Sequence, residues 1–142
     1  MSESQGIRVF VYGTLKQGRP NHDVLKGAEL LGRCTVKGKV QMLDLGYYPG
    51  MVMTPGKEPD RKVLGEVYRV SRDTLTMLDF LEGHPHYYAR HKVQTPWKGA
   101  WCYFLPMAYR DHAKPVEEVS GVQVWKPSAE EGSYVSSDTK GI

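Results

Sequence analysis

Ile7-Arg8-Val9-Phe10-Val11-Tyr12-Gly13-Thr14-Leu15-Lys16-Gln17-Gly18 is the stretch whose reading decides the fold. From Ile7 to Tyr12 the run is apolar or aromatic apart from Arg8, the composition of a buried strand. It stops at Gly13, and the loop behind it leads to Pro20-Asn21-His22, where a short helix can start. A strand that ends in a glycine-containing loop can turn several backbone N–H groups toward one point. Such a nest holds an anion without a cationic side chain. Gly13 and Gly18 bracket the loop as in a phosphate loop, but Arg19-Pro20 stands where the Lys-Ser/Thr pair would follow, which argues against a nucleoside triphosphate site. The alternative reading is a simple turn after an edge strand.

Working outward, strand patterns recur. Leu30–Leu43 carries alternating and β-branched residues and reads as one long strand or a hairpin. Met51–Thr54 is a short strand, and Val63–Val70 alternates. Tyr88–Thr95 and Ala100–Leu105 flank Pro96-Trp97-Lys98-Gly99, a hairpin turn with Pro early and Gly late. The spacing predicts a helix where Ser71 can cap, Asp73 sits in the first turn, and Leu75, Leu78 and Leu81 recur every third residue. Gly83 and Pro85 end it. The expected class is α+β: a small mixed, mostly antiparallel, barrel-like sheet with one or two flanking helices. Residues 1–125 form the expected domain, with Val116–Trp125 as an edge strand or docking segment. Residues 126–142 are a polar tail expected to be mobile or draped on the surface.

A chain of 142 residues has room for one core, and 40% hydrophobic with 25% charged residues is ordinary for a globular protein. The formal net charge is +3, and the 19 basic residues are spread rather than clustered, which argues against nucleic acid. No apolar run approaches the roughly 20 residues of a membrane span. Met1–Gly6 has no signal pattern, so the expectation is a cytoplasmic protein in which Cys34 and Cys102 are free packing thiols.

Among chemistry-bearing residues, Glu82 stands out. A carboxylate at a helix C-terminus opposes the helix dipole by roughly 0.3–1 kcal/mol, and Glu82 borders the apolar stripe. It reads either as an exposed helix-end residue or as a carboxylate facing a cavity. His84, His86 and His91 lie near it, but Pro85 splits the first two and there is no helical His-x-x-x-His spacing. They read as loop histidines, and no metal is expected. Gly46-Tyr47-Tyr48-Pro49-Gly50 is a turn with aromatic walls, and Tyr87, Tyr88, Trp97 and Trp101 add further rings. These read as sheet core or pocket lining, against the alternative of base stacking.

Taken together, Tyr12-Gly13-Thr14-Leu15, Tyr48-Pro49-Gly50, Gly65-Glu66-Val67-Tyr68, Leu78-Asp79-Phe80-Leu81-Glu82-Gly83 and Tyr88-Ala89-Arg90 resemble the gamma-glutamylcyclotransferase-like superfamily. The resemblance is greatest to its small bacterial and gamma-glutamylamine branch and spans roughly residues 7 to 106. It implies a small mixed barrel with a cavity at one end. The loop Tyr12, Gly13, Thr14 and Leu15 would hold substrate through backbone N–H groups, with Tyr48, Pro49, Gly50 and Tyr88 lining the cavity. Glu82 would be the general acid/base. The implied reaction releases 5-oxoproline from a gamma-glutamyl amine or peptide without metal or cofactor. The expected partner is that small molecule, with no nucleic acid and no membrane.

The chemistry suits these residues. The substrate's own α-amine attacks its γ-carbonyl, so much of the entropic cost is met in advance. Proton transfer remains. An ammonium near pKa ~8 facing a carboxylate near ~4.3 is uphill by roughly 4 units, or about 5 kcal/mol. A Glu raised to ~6–7 by an apolar pocket removes much of that cost. The alternative function is a catalytically silent module that uses the same cavity to hold a small anionic metabolite or a partner peptide.

Overall fold

The computed structural model describes residues 7–13, 15–16 and 21–126. The apolar run is the centre of the sheet. β1 (Arg8–Val11) lies antiparallel to β5 (Arg61–Arg69), with Phe10 opposite Val67, and parallel to β7 (Lys98–Phe104), with Val9 opposite Trp101. Strands on both edges of β1 pair its backbone, and Phe10 and Val11 are buried in the core. The other edge of β5 carries β2 (Glu29–Gly38), and that of β7 carries β6 (Ala89–Thr95), both antiparallel. β3 (Val40–Asp44) and β4 (Pro49–Met53) form a hairpin that joins β7 in parallel through Met51 and Phe104. β8 (Lys114–Pro115) pairs with the end of β3. The small hairpin β9 (Glu118–Val119) and β10 (Val122–Gln123) pairs with the start of β5.

The result is a mixed sheet curled into a half-barrel, as the α+β reading expected. α1 (Arg72–Glu82) is its one α-helix among the described residues, with short 3-10 turns at His22–Leu25 and Met107–Asp111. Two glycines allow close approaches within the curled sheet. An added Cβ at Gly65 would lie 2.5 Å from both Phe10 Cζ and the Val11 carbonyl oxygen. At the bulge in β2, the Trp97 ring of the β6–β7 turn covers Gly32, and a Cβ there would lie 2.6 Å from Cη2.

The Leu30–Leu43 segment differs from expectation. It is two strands that do not pair with each other: β2 binds β5, whereas β3 binds β4. Alternation continues across Lys39, so the pattern gives no sign of the exchange of partners. Lys39 sits at that exchange, its carbonyl accepting the Thr54 N–H at 2.9 Å. Pro49 and Gly50, read as turn residues, open β4 instead. The expected tail, residues 126–142, lies outside the described residues apart from Lys126.

Helix α1 follows its sequence signals. Ser71 Oγ accepts the Thr74 N–H at 3.1 Å, Leu75 and Leu78 are buried, and Leu81 is partly buried. Phe80 faces outward, 89% exposed. Gly83 ends the helix at φ +69°, a left-handed conformation that glycine adopts without steric cost. Its N–H donates to the Phe80 carbonyl and that of His84 to the Asp79 carbonyl, closing a Schellman motif.

Candidate active site

The helix stop places Glu82. After Gly83 the chain folds back on itself: the Gly83 carbonyl accepts the N–H groups of His86 (2.8 Å) and Tyr87 (2.9 Å), and the Glu82 carbonyl accepts that of Tyr88 (3.1 Å). The His84–Pro85 peptide bond in this turn is cis. Tyr88 is thereby set beside Glu82 just before β6. Glu82 has 0% exposure, so the helix-end position that would ordinarily be wet is fully enclosed.

Three phenols couple electrostatically to this carboxyl, and each has its proton committed elsewhere. The Tyr12 hydroxyl donates to the Tyr103 carbonyl at 2.8 Å and accepts the Met51 N–H at 2.9 Å. The Tyr88 hydroxyl donates to the Pro49 carbonyl at 2.8 Å. The Tyr103 hydroxyl donates to Asp79 Oδ1 at 2.5 Å. Burial pushes the ionisation of Tyr12 well above the ordinary phenol range, with Cys102 and the Glu82 charge adding to it. Burial does the same to Tyr88, followed by Tyr12 and Glu82, and to Tyr103, followed by Asp79 and Glu82. All three therefore stay neutral beside the Glu82 charge.

The strand-to-loop junction lies at the same end. Tyr12 is fully buried, Gly13 turns the chain through the Lys16 N–H to Gly13 carbonyl bond at 3.0 Å, and Leu15 is fully buried. The Leu15 carbonyl meets His22 Nδ1 at 2.9 Å, which ties the loop to the 3-10 turn. Thr14 and Gly18 lie outside the described residues. Tyr48 is half-buried, its hydroxyl 2.8 Å from that of Tyr87. Pro49 joins the group through its carbonyl. Gly50 has a packing reason instead, since an added Cβ would lie 2.2 Å from Leu105 Cδ1. The structure thus brings Tyr12, Glu82 and Tyr88 together, links Pro49 and Tyr48 to them through Tyr88 and Tyr87, and starts the Gly13 turn beside Tyr12.

No group of three or more His, Cys, Asp or Glu is placed to hold a metal ion among the described residues. His84 Nδ1 accepts the Arg90 N–H at 3.2 Å, and the His91 ring packs edge-on to Phe104. Cys102 is buried and Cys34 partly buried, and burial raises both thiols above their ordinary range. No helix among the described residues is long and apolar enough to cross a membrane.

Residues 9–126 match the family described as "Gamma-glutamyl cyclotransferase, AIG2-like". The chain belongs to this family. A Vibrio cholerae relative named for gamma-glutamylcyclotransferase is 43% identical over 105 residues, covering 74% of this chain and 87% of its own. The "Gamma-glutamylcyclotransferase family protein YtfP" of Escherichia coli K12 is 41% identical over 97 residues, covering 68% of this chain and 80% of its own. The solution structure of Escherichia coli ytfP superposes with a TM-score of 0.61 at 39% identity, covering 82% of this chain and 95% of that one. The crystal structure of an aig2-like protein from Mus musculus gives a TM-score of 0.59 at 28% identity, covering 87% and 97%.

Within this gamma-glutamyl cyclotransferase family chain, sequence reasoning did not single out Tyr103 or His22 as site residues. Tyr103 sits in β7 between Cys102 and Phe104, so the run reads as plain core. The usable signal was the pairing of β6 with β7, which sets Tyr103 opposite Arg90 of the Tyr88-Ala89-Arg90 motif.

Proposed function

We propose that this protein is a gamma-glutamyl cyclotransferase that releases 5-oxoproline from a small gamma-glutamyl amine or peptide, with Glu82 as general acid/base. The observation that carries this reading is the complete burial of Glu82 among Tyr12, Tyr88 and Tyr103, at the end of the strand that leads into the Gly13 turn. A glutamate taken out of water at a helix end has a desolvation cost and opposes the helix dipole. A proton carrier needs that burial, because a carboxyl removed from water holds its proton more tightly and so matches an amine better.

The substrate ammonium gives a proton to Glu82. Its nitrogen attacks the γ-carbonyl carbon, and the C–N bond of the five-membered lactam forms. Glu82 then returns the proton to the departing nitrogen as the old C–N bond breaks, and next carries the second ammonium proton from the ring nitrogen to the freed amine. Substrate becomes 5-oxoproline with one N–H and an amine that leaves as its ammonium, with no other reactant. The backbone N–H groups of the Gly13–Leu15 turn would fix the charged end of the substrate, and Tyr48, Tyr88 and Pro49 would confine the rest.

The test is mass-spectrometric detection of 5-oxoproline from a panel of gamma-glutamyl amino acids, gamma-glutamyl-ε-lysine and glutathione. The wild type is expected to form product from at least one member, and Glu82→Gln to lose roughly 10²–10⁴-fold in turnover. Full turnover by Glu82→Gln, or no product with any member, refutes the reading.

A further inference from the structure

We infer that Asp79, Arg90 and Tyr103 form a positioning device that clasps the last turn of α1 to the sheet and sets the proton affinity of Glu82. The inference rests on the reading of Glu82 as the acid/base.

Asp79 precedes Glu82 by three residues, so the two carboxyls share a face of α1. Arg90 on β6 grips Asp79 with both arms, Nε to Oδ1 at 2.8 Å and Nη2 to Oδ2 at 3.1 Å. Tyr103 on β7 adds its hydroxyl to Oδ1. One carboxylate therefore ties the helix to two strands at the turn that ends in Glu82. The clasp is braced from behind: the Arg90 guanidinium lies 4.5 Å from the Trp101 ring centroid, and Lys92 approaches the same ring at 5.1 Å. The Tyr103 carbonyl in turn accepts the Tyr12 hydroxyl, so the device reaches the residue that opens the Gly13 turn.

The same geometry is electrostatic. A bidentate guanidinium balances Asp79, so the charge one turn before Glu82 is compensated rather than bare. Neutral phenols that couple electrostatically to Glu82 include Tyr12 just after β1, Tyr88 from the turn after α1, and Tyr103 from β7. The groups that face Asp79 are Arg90, Tyr103 and His84. The removable charges in this set that the clasp controls are thus Asp79 and Arg90, and they act on Glu82 with opposite sign. Loss of Asp79 leaves Arg90 uncompensated and eases ionisation of Glu82. Loss of Arg90 leaves Asp79 uncompensated and hinders it. Tyr103→Phe changes no charge and removes only the tether.

The experiment follows the carboxyl carbon of isotopically labelled glutamate by NMR across pH in the full chain, the Glu82 signal being assigned by its absence in Glu82→Gln. The Glu82 midpoint is expected to fall by about one pH unit in Asp79→Asn and to rise by about one unit in Arg90→Gln. Arg90→Lys, which keeps the charge, should lie within about 0.3 unit of wild type. Tyr103→Phe should leave the midpoint in place and lower kcat with KM changed less than about twofold. Shifts of the same sign in Asp79→Asn and Arg90→Gln, or no shift in either, overturn the inference, because loss of packing alone has no reason to move the midpoint in opposite directions. If Arg90→Gln does not fold, Arg90→Met supplies the charge-loss arm, and an unshifted or lowered Glu82 midpoint there overturns the inference. A wild type that forms no 5-oxoproline removes the enzyme reading, while the carboxyl titration still decides the coupling.

Discussion

Tyr12→Phe removes a single oxygen from a side chain with 0% exposure, and the structure shows what that oxygen does. Met42 and Met51 face each other across β3 and β4, and their outward backbone groups need partners from elsewhere. Met42 finds Gln123 Oε1 for its N–H and the Val116 N–H for its carbonyl, each at 2.8 Å. Met51 finds the Leu105 N–H for its carbonyl at 2.8 Å and the Tyr12 hydroxyl for its own N–H at 2.9 Å. The same hydroxyl donates to the Tyr103 carbonyl. A phenylalanine leaves one buried N–H and one buried carbonyl unpaired, at about 1–3 kcal/mol each, the carbonyl toward the lower end because it has a second lone pair. The expected loss is roughly 2–5 kcal/mol, or about 6–15 °C in Tm for a domain of this size. Urea unfolding by fluorescence measures it. Because burial, Cys102 and Glu82 keep the phenol protonated, the loss should be the same at about pH 6 and about pH 9. Tyr48→Phe is the control. Its half-buried hydroxyl meets another hydroxyl, and a change under about 1 kcal/mol is expected. A Tyr12→Phe variant within about 0.5 kcal/mol of wild type would refute the view that this hydroxyl holds β1, β4 and β7 together.

Gly65→Ala should cost at least about 2 kcal/mol in urea unfolding, since the added methyl meets the Val11 backbone and Phe10 cannot clear it without moving β1; near-wild-type stability would show that β1 and β5 can separate freely. Acid stability should depend on Asp79. Desolvation raises its carboxyl, but the bonds from Arg90 and Tyr103 outweigh that and hold it below the ordinary range. Its contribution is therefore complete above the unfolded value of about 3.9 and is lost as pH falls through the lower folded value. The gap in urea midpoint between wild type and Asp79→Asn should close between about pH 7 and about pH 2, and a gap that stays constant would sink the assignment.

Much of the fold was legible because its signals are local. Ser71, the leucine spacing and Gly83 gave α1 to within a residue, and β1, β5, β6 and β7 lie within two residues of the strand segments read from the sequence. Lys39 shows where this fails: period-2 alternation records which face a residue takes, but carries nothing about which strand it pairs with. The site divides the same way. Glu82 was visible as a carboxylate on the edge of an apolar stripe. Its complete enclosure was not, because Tyr12 and Tyr103 come from distant parts of the chain and are joined to the Glu82–Tyr88 turn only by the curl of the sheet.

By itself, then, the amino-acid order determined the helix and its two caps, the central apolar strand with its glycine stop, and the set of residues that mark the gamma-glutamyl cyclotransferase family. These depend on interactions within a few residues, or on identities that can be read one by one. Only the tertiary structure decided that Asp79 is clasped by Arg90 and Tyr103, that the Tyr12 hydroxyl serves two other strands, and that Glu82 is sealed from water. Burial and hydrogen-bond partners are properties of what packs against a residue. In a mixed half-barrel those neighbours are brought in by strand pairings across the chain, which local sequence patterns do not encode.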